Sequence, residues 1–186
     1  PYDPEASKKL LAEAGYPQGF EVTLHCPNDR YVNDEAICQA AASMLARVGV
    51  KINLQAQPKA QFFGRAGASG GFDTSFGMLG WTPSSFDSYN ILVNLVGCRD
   101  DKGVGGPFNY GGYCNPKITD LAAKIVVETD IAKRDQMILD AFKIVHEDAG
   151  SIPLHQQSLA WGVSKKVDIH QRADDQILLY WANKKE

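Results

Sequence analysis

The chain has 186 residues, of which 44% are hydrophobic and 22% are charged, and its formal net charge is −3. This composition is typical of a globular domain with a core of its own and excludes a disordered protein. Without a basic stripe the chain lacks the electrostatic signature of nucleic-acid binding, and it has no apolar run of membrane-spanning length. It begins at Pro1 with neither a methionine nor a signal peptide, and we expect a fragment of a longer protein.

The four cysteines are Cys26, Cys38, Cys98 and Cys114. They form no C-x-x-C pair, which argues against zinc or iron–sulfur ligation. Four cysteines allow three disulfide pairings, and we favour the two local ones, Cys26–Cys38 and Cys98–Cys114. The alternative is four free thiols buried in a cytosolic protein, whereas disulfides would imply an oxidising compartment.

The first third of the chain alternates between helical and extended patterns. Asp3-Pro4 predicts the start of a helix that Gly15 ends. Alternating apolar residues predict strands over residues 20–25 and 50–56, and between them a helix begins at Asn33-Asp34. A strand, a helix and a strand in this order form a βαβ unit, which should be right-handed with parallel strands.

A short helix is predicted over residues 60–68, before the stretch 73–87. This stretch predicts a strand that changes at Trp81 into a loop of small hydroxyl residues. Because ligands bind outside the carboxyl ends of strands in open α/β sheets, the change marks a candidate ligand-facing edge. The alternative is a core tryptophan followed by an ordinary loop.

The second half of the chain is predicted to be mainly helical. Asp87 caps a short helix that reaches Val96, and a glycine-rich loop follows over residues 97–115. A Cys98–Cys114 bridge would hold this loop together. The remaining elements are helices that begin at Asn115-Pro116 and at Asp130, an extended segment over 151–155, and strands over 158–163 and 176–181.

The sequence carries no motif of a catalytic, metal or cofactor site. It has no H-E-x-x-H pair and no G-x-G-x-x-G fingerprint, and its G-x-S-x-G match at residues 67–71 lies in a turn before a predicted strand, which is not the setting of a nucleophile elbow. We interpret the acid pairs Asp100-Asp101 and Asp174-Asp175 as solvated loops. Polar and aromatic residues at loop positions instead predict a binding pocket with aromatic walls. The candidate ligand-binding residues are Trp81, Thr82, Ser84, Ser85, Asn109, Tyr110 and His155.

An ordered series of motifs runs through nearly the whole chain. It consists of Tyr2-Asp3-Pro4-Glu5, residues 9–17, Gly19-Phe20, Asn33-Asp34-Glu35, residues 48–51, Phe72-Asp73, Leu79-Gly80-Trp81, Asn109-Tyr110, Tyr113, Asn115-Pro116, Leu121, Glu128-Thr129-Asp130, Lys133-Arg134 and Ile152-Pro153-Leu154. In this series the chain resembles the carboxyl-terminal lobe of the extracytoplasmic solute-binding proteins of ABC importers, of the oligopeptide, dipeptide and nickel-binding type (family 5).

The resemblance implies an α/β fold, one lobe of a type II periplasmic-binding protein with a mixed sheet flanked by helices. Residues 1–154 would form the ligand-binding lobe, and residues 155–186 would be terminal strands that return toward an N-terminal lobe. A small solute would be held between the lobes as they close about a hinge, for delivery to a membrane permease. The location would be periplasmic. Cys98 and Cys114 match positions that are bridged in dipeptide-binding relatives.

One departure from the resemblance concerns the ligand. Peptide-binding members have an aspartate three residues after the tryptophan, where it pairs with the peptide ammonium group, and this chain has Ser84 there. Asp87 is a possible substitute. The ligand is therefore a peptide or, as the alternative, a metal chelate, a sugar or an opine-like compound. An enzyme of unknown type and a protein-interaction module are the competing classes.

Overall fold

The computed structural model describes residues 2–100 and 105–185. Pro1, Asp101 and the rest of 101–104 in the predicted loop, and Glu186 lie outside this part of the chain. The helices are α1 Pro4–Glu13, α2 Asp34–Ala46, α3 Lys59–Ala66, α4 Tyr89–Asn94, α5 Pro116–Ile125 and α6 Ile131–Glu147, with 3-10 turns at Ala68–Gly70 and Leu179–Trp181. The strands are β1 Phe20–Pro27, β2 Val50–Gln57, β3 Val167–Asp168 and β4 Asn183–Lys184.

The predicted βαβ unit is confirmed. β1 and β2 are parallel and in register from the Phe20–Val50 pair to the Pro27–Gln57 pair, and α2 packs against them. At the start of both strands the backbones of Gly19 and Gly49 approach closely, since a Cβ on Gly19 would lie 1.8 Å from the Gly49 oxygen. Only glycine fits there.

The buried residues form two clusters. The first joins the sheet to α2 and consists of Leu24, Cys26 and Cys38, with Phe76 and Met78 packed against it. The second joins α4, α5 and α6 and consists of Leu92, Val96, Ile118, Ile125, Ala141 and Val145. The second cluster follows the helical periodicity of the sequence, whereas the first takes Leu24 and Cys26 from alternate positions of β1.

Each cluster has a disulfide in it or beside it, and both predicted pairings are confirmed. The bond between Cys26 and Cys38, which we call the core disulfide, joins β1 to α2, and its two residues are 0% and 2% exposed. The bond between Cys98 and Cys114, which we call the loop disulfide, closes the glycine-rich loop and lies nearer the surface.

The strand predicted from Asp73 is wrong. The segment meets β1 through a single parallel bridge, in which the His25 amide donates to the Phe76 oxygen and the Met78 amide donates to the His25 oxygen, both at 3.0 Å. The chain turns sharply just before this bridge, because Phe72 has a φ of 55° and its oxygen accepts the Thr74 amide. Too few residues then run beside β1 to form a strand.

The terminal strands predicted over 158–163 and 176–181 are also wrong. The only strand pair in the described part of this region is antiparallel, with Val167 opposite Lys184 and Asp168 opposite Asn183. An alternating pattern predicts a strand, but a strand forms only where a neighbouring backbone accepts its hydrogen bonds. The α/β class is confirmed, with the strands divided between one parallel and one antiparallel pair.

Candidate ligand-binding site

Two loops meet at the carboxyl end of β1. One follows β1 and carries Tyr31, and the other follows the bridge at Gly77 and carries Gly80 and Trp81. The Tyr31 hydroxyl donates to the Gly80 oxygen at 3.2 Å. A Cβ on Gly80 would lie 2.6 Å from Tyr31 Cε1, so a glycine at this position lets the ring pack against the backbone.

Four aromatic residues line this end of the sheet, and we call them the aromatic edge: Tyr31, Trp81, Phe108 and Tyr110. The Trp81 and Phe108 ring centroids lie 4.8 Å apart, and those of Phe108 and Tyr110 lie 6.2 Å apart. Trp81 is half-buried and belongs to neither buried cluster, which goes against the alternative of a core tryptophan. Its indole Nε1 donates to Asn90 Oδ1 at 2.8 Å.

Tyr110 closes the edge toward α3. Its ring lies 6.5 Å from that of Phe62 and 6.4 Å from that of Phe63, both edge-on. Burial, followed by the nearby Tyr31 hydroxyl, raises the pKa of Tyr110. Its phenol is therefore neutral at physiological pH and able to donate a hydrogen bond.

Asn109 lies behind the edge. The residue is 3% exposed, and its amide nitrogen donates to the Gly97 oxygen at 2.9 Å and to the Tyr113 oxygen. These bonds join the two ends of the glycine-rich loop beside the loop disulfide. Asn109 thus supports its neighbours Phe108 and Tyr110 from inside the loop.

The hydroxyl residues after Trp81 are exposed. Thr82 and Ser84 have side chains that make no hydrogen bond within the described residues, and Ser85 Oγ accepts the Asp87 amide at 3.4 Å. His155 lies in the exposed segment 151–160, and no hydrogen bond or ring contact in the described part of the chain joins it to the aromatic edge. The structure thus groups Trp81 with Tyr110 but leaves His155 apart.

The charges near the edge differ from those expected. Asp87 Oδ2 accepts from Arg134 Nη2 at 2.7 Å and Oδ1 accepts from the Tyr89 amide at 2.8 Å. Asp87 is therefore already ion-paired within the chain, which argues against the suggestion that it substitutes for the missing aspartate. Arg30 stacks 4.9 Å from the Tyr31 ring centroid and has no carboxylate partner among the described residues. The edge thus has one cation beside it, Arg30, and its nearby carboxylate, Asp87, is already ion-paired.

Asp34 supports the Tyr31 loop in a way that the sequence did not indicate. The residue is 4% exposed; Oδ2 accepts the amides of Arg30 and Tyr31 at 2.9 and 3.0 Å, and Oδ1 accepts that of Glu35 at 2.9 Å. Burial would raise the pKa of Asp34, but the Tyr31, Arg30 and Glu35 amides together outweigh it and the pKa is lowered. The sequence had indicated Asn33-Asp34 as a helix start and as part of the motif series, but not as a support for this loop.

The family was established by comparison with known proteins. Residues 1–103 match the family model for bacterial extracellular solute-binding proteins, family 5 (middle). The chain belongs to family 5 of the bacterial extracellular solute-binding proteins. This membership agrees with the extracytoplasmic location that the disulfides indicate.

Several relatives of this family 5 chain are binding proteins. The glutathione-binding protein GsiB of Pectobacterium atrosepticum is 30% identical over 90% of this chain and 32% of its own length. The dipeptide-binding protein of Pseudoalteromonas sp. SM9913, solved with Met-Leu, is 25% identical with a TM-score of 0.78 over 99% of this chain and 36% of its own. AgaA of A. tumefaciens R10, solved with agropinic acid, is 28% identical with a TM-score of 0.64 over 76% and 27%.

The chain spans about a third of the length of the curated relatives it matches. The structural likeness confirms the fold of a periplasmic-binding-protein lobe. None of the helices in the described ranges is both long enough and apolar enough to cross a membrane. Within 2–100 and 105–185, no three His, Cys, Asp or Glu side chains are grouped as metal ligands would be.

Proposed function

We propose that this chain is the ligand-binding lobe of a receptor that captures a small solute in the periplasm for an ABC importer. The observation that carries the proposal is the aromatic edge at the carboxyl end of β1, beside polar side chains with no partner in the described part of the chain. Binding sites combine apolar walls with a few polar groups in this way. The edge offers no nucleophile paired with a base, so we propose binding without catalysis.

In this proposal Trp81 packs against the solute, and Thr82, Ser84 and Ser85 offer hydroxyl groups to it. Tyr110 forms part of the wall, and Asn109 holds the loop that carries it. His155 would contact the solute only if the exposed segment 151–160 folds toward the edge. Residues 1–154 would form the lobe, and residues 155–186 would return toward an N-terminal lobe.

The second lobe matters because the edge is open on one side. A small solute reaches high affinity only when most of its surface is buried. A lobe alone should therefore bind weakly, and closure about a hinge would complete the site and present it to the permease.

The ligands of relatives and the charges at the aromatic edge together indicate the chemical class of the solute. GsiB binds glutathione and the Pseudoalteromonas protein binds Met-Leu, so we propose a short peptide or a peptide-like solute. With Ser84 after Trp81 and Asp87 paired to Arg134, an ammonium group would have no carboxylate partner at this position. A non-peptide solute is the alternative, and AgaA is a structural relative solved with one, agropinic acid.

The experiment is calorimetric titration of the complete protein from its host with glutathione and with Met-Leu, together with mass spectrometry of solute that copurifies. Trp81→Ala should weaken binding by tenfold or more, because a large ring leaves the contact. Unchanged affinity in this variant would contradict the proposed site.

The Ser84→Asp variant tests the ammonium position. It should strengthen binding of Met-Leu by about tenfold, because a charge-assisted hydrogen bond is added. N-acetyl-Met-Leu is the matched probe, since it lacks the ammonium group and should gain nothing. An equal gain for both probes would show that residue 84 does not face the amino terminus.

A further inference from the structure

We propose that Asn90 selects solutes that present a hydrogen-bond acceptor, a carbonyl or carboxylate oxygen, beside the ring of Trp81. The inference rests on the proposed function and adds a specificity residue to the same site. Asn90 was not among the residues that the sequence suggested, because it lies inside the predicted helix after Asp87.

The orientation of the Asn90 amide is determined by its partner. An indole N–H can only donate, so the atom that it reaches at 2.8 Å must be the amide oxygen. The usual ambiguity between the oxygen and nitrogen of an asparagine is therefore resolved here. The NH2 group must point away from the indole nitrogen.

The backbone of Asn90 is also held. Its amide donates to the Asp87 oxygen at 3.0 Å, and its carbonyl accepts from Asn94 Nδ2 at 2.7 Å. The Asn90 side chain is thus held at two points: its backbone is fixed in α4, and its amide oxygen is fixed by Trp81. The amide cannot rotate without losing the indole bond.

The NH2 group is the free part of this residue. Asn90 Nδ2 makes no hydrogen bond within 2–100 and 105–185, and across these ranges the single buried side-chain N or O atom without a partner is Gln57 Oε1. The Asn90 Nδ2 atom therefore reaches solvent, at the Trp81 end of the aromatic edge. Because Nδ2 is bonded to the same carbon as the oxygen that the indole N–H reaches, a solute beside the indole nitrogen would lie within hydrogen-bonding reach of it.

A fixed NH2 group discriminates by chemistry. It can donate to a carbonyl or carboxylate oxygen of the solute. It cannot bond an N–H or ammonium group, because both groups are donors. A site that buries an unpaired polar group rejects the mismatched solute strongly. The carboxylate of Asp87 offsets this preference little, because each of its oxygens already accepts a hydrogen bond, one from Arg134 and one from the Tyr89 amide.

Asn90→Asp separates selection from positioning. The variant keeps an oxygen for the Trp81 N–H but replaces the donor group with a second acceptor. We expect calorimetry of the complete protein with glutathione and Met-Leu to show at least tenfold weaker binding of whichever probe the wild type binds. The Trp81 indole N–H resonance, identified as the one lost in Trp81→Phe, should stay hydrogen-bonded.

Ser88→Asp is the matched control, because it adds the same charge two residues away on an exposed side chain. Its affinity should stay within about twofold of wild type, since a screened surface charge contributes little. Wild-type affinity in Asn90→Asp, a lost indole hydrogen bond in that variant, or an equal loss in Ser88→Asp would overturn the role of Asn90. If the wild type binds neither probe, the peptide-like proposal itself fails and the inference fails with it.

Discussion

Replacing Asp34 by asparagine removes the carboxylate that holds the Tyr31 loop. In the wild type this side chain accepts three backbone amides at 2.9 to 3.0 Å while it is 4% exposed. An asparagine oxygen can replace Oδ2 toward Arg30 and Tyr31, but its NH2 group then faces the Glu35 amide. The bond from the Glu35 amide is lost, the other two lose their charge assistance, and a buried donor is left unsatisfied, which costs about 1–3 kcal/mol.

Hydrogen–deuterium exchange of the peptide that spans residues 28–36 measures this cost locally. At about 1.4 kcal/mol per factor of ten, exchange in Asp34→Asn should be roughly 5-fold to 150-fold faster than in the wild type at pH 7. Glu21→Gln is the control, because it breaks an exposed ion pair with Lys51 and should change stability by about 0.5 kcal/mol or less. Equal protection in Asp34→Asn and the wild type would refute the argument.

The pH dependence has a definite sign. The folded pKa of Asp34 is lowered, so its contribution is present above its ordinary value of about 3.9 and is lost as the pH falls through the folded value. The difference in thermal midpoint between the wild type and Asp34→Asn should therefore be full at pH 7 and shrink below about pH 4. A difference that grows in acid would contradict the assignment.

Three further predictions concern the same edge. Gly80→Ala adds a Cβ that would lie 2.6 Å from Tyr31 Cε1, so the Tyr31 ring must move, and solute binding in calorimetry should weaken by about tenfold. Gly64→Ala adds a Cβ with no neighbour within 4 Å and should leave the affinity unchanged. Arg134→Met leaves Asp87 unpaired and should speed exchange around Asp87 by about twofold to fivefold, as a partly exposed ion pair allows; no change would mean that the pair does not hold the loop. Stepwise alkylation with mass spectrometry should show the loop disulfide reduced before the buried core disulfide, and simultaneous reduction would argue against burial as the cause.

The helix starts were predicted well because their causes are local. Asp3 accepts the Ala6 amide, Asn115 that of Lys117 and Asp130 that of Lys133, each within three residues along the chain. The βαβ unit was predictable for a similar reason, since short connections leave few ways to arrange two strands and a helix.

The strands that failed depended on neighbours. The segment from Asp73 has only one bridge to β1, and the segments 158–163 and 176–181 have no strand beside them in the described part of the chain. An alternating pattern reports which side chains could face a core, but it does not report which backbone lies alongside. Strand predictions are therefore weakest where partners are distant in sequence.

For the site, the sequence by itself determined the type of residues present: a tryptophan after a glycine, hydroxyl residues next to it, and cysteines at spacings that suit two local disulfides. Tertiary structure alone decided what these residues meet. Tyr31 reaches Gly80 across 49 positions and Arg134 takes Asp87 across 47, while Asn90 turns its amide toward Trp81. Each contact determines which donors and acceptors stay free for a solute. The two long-range contacts leave no periodic trace in the sequence, and the Asn90–Trp81 bond depends on how the intervening loop folds.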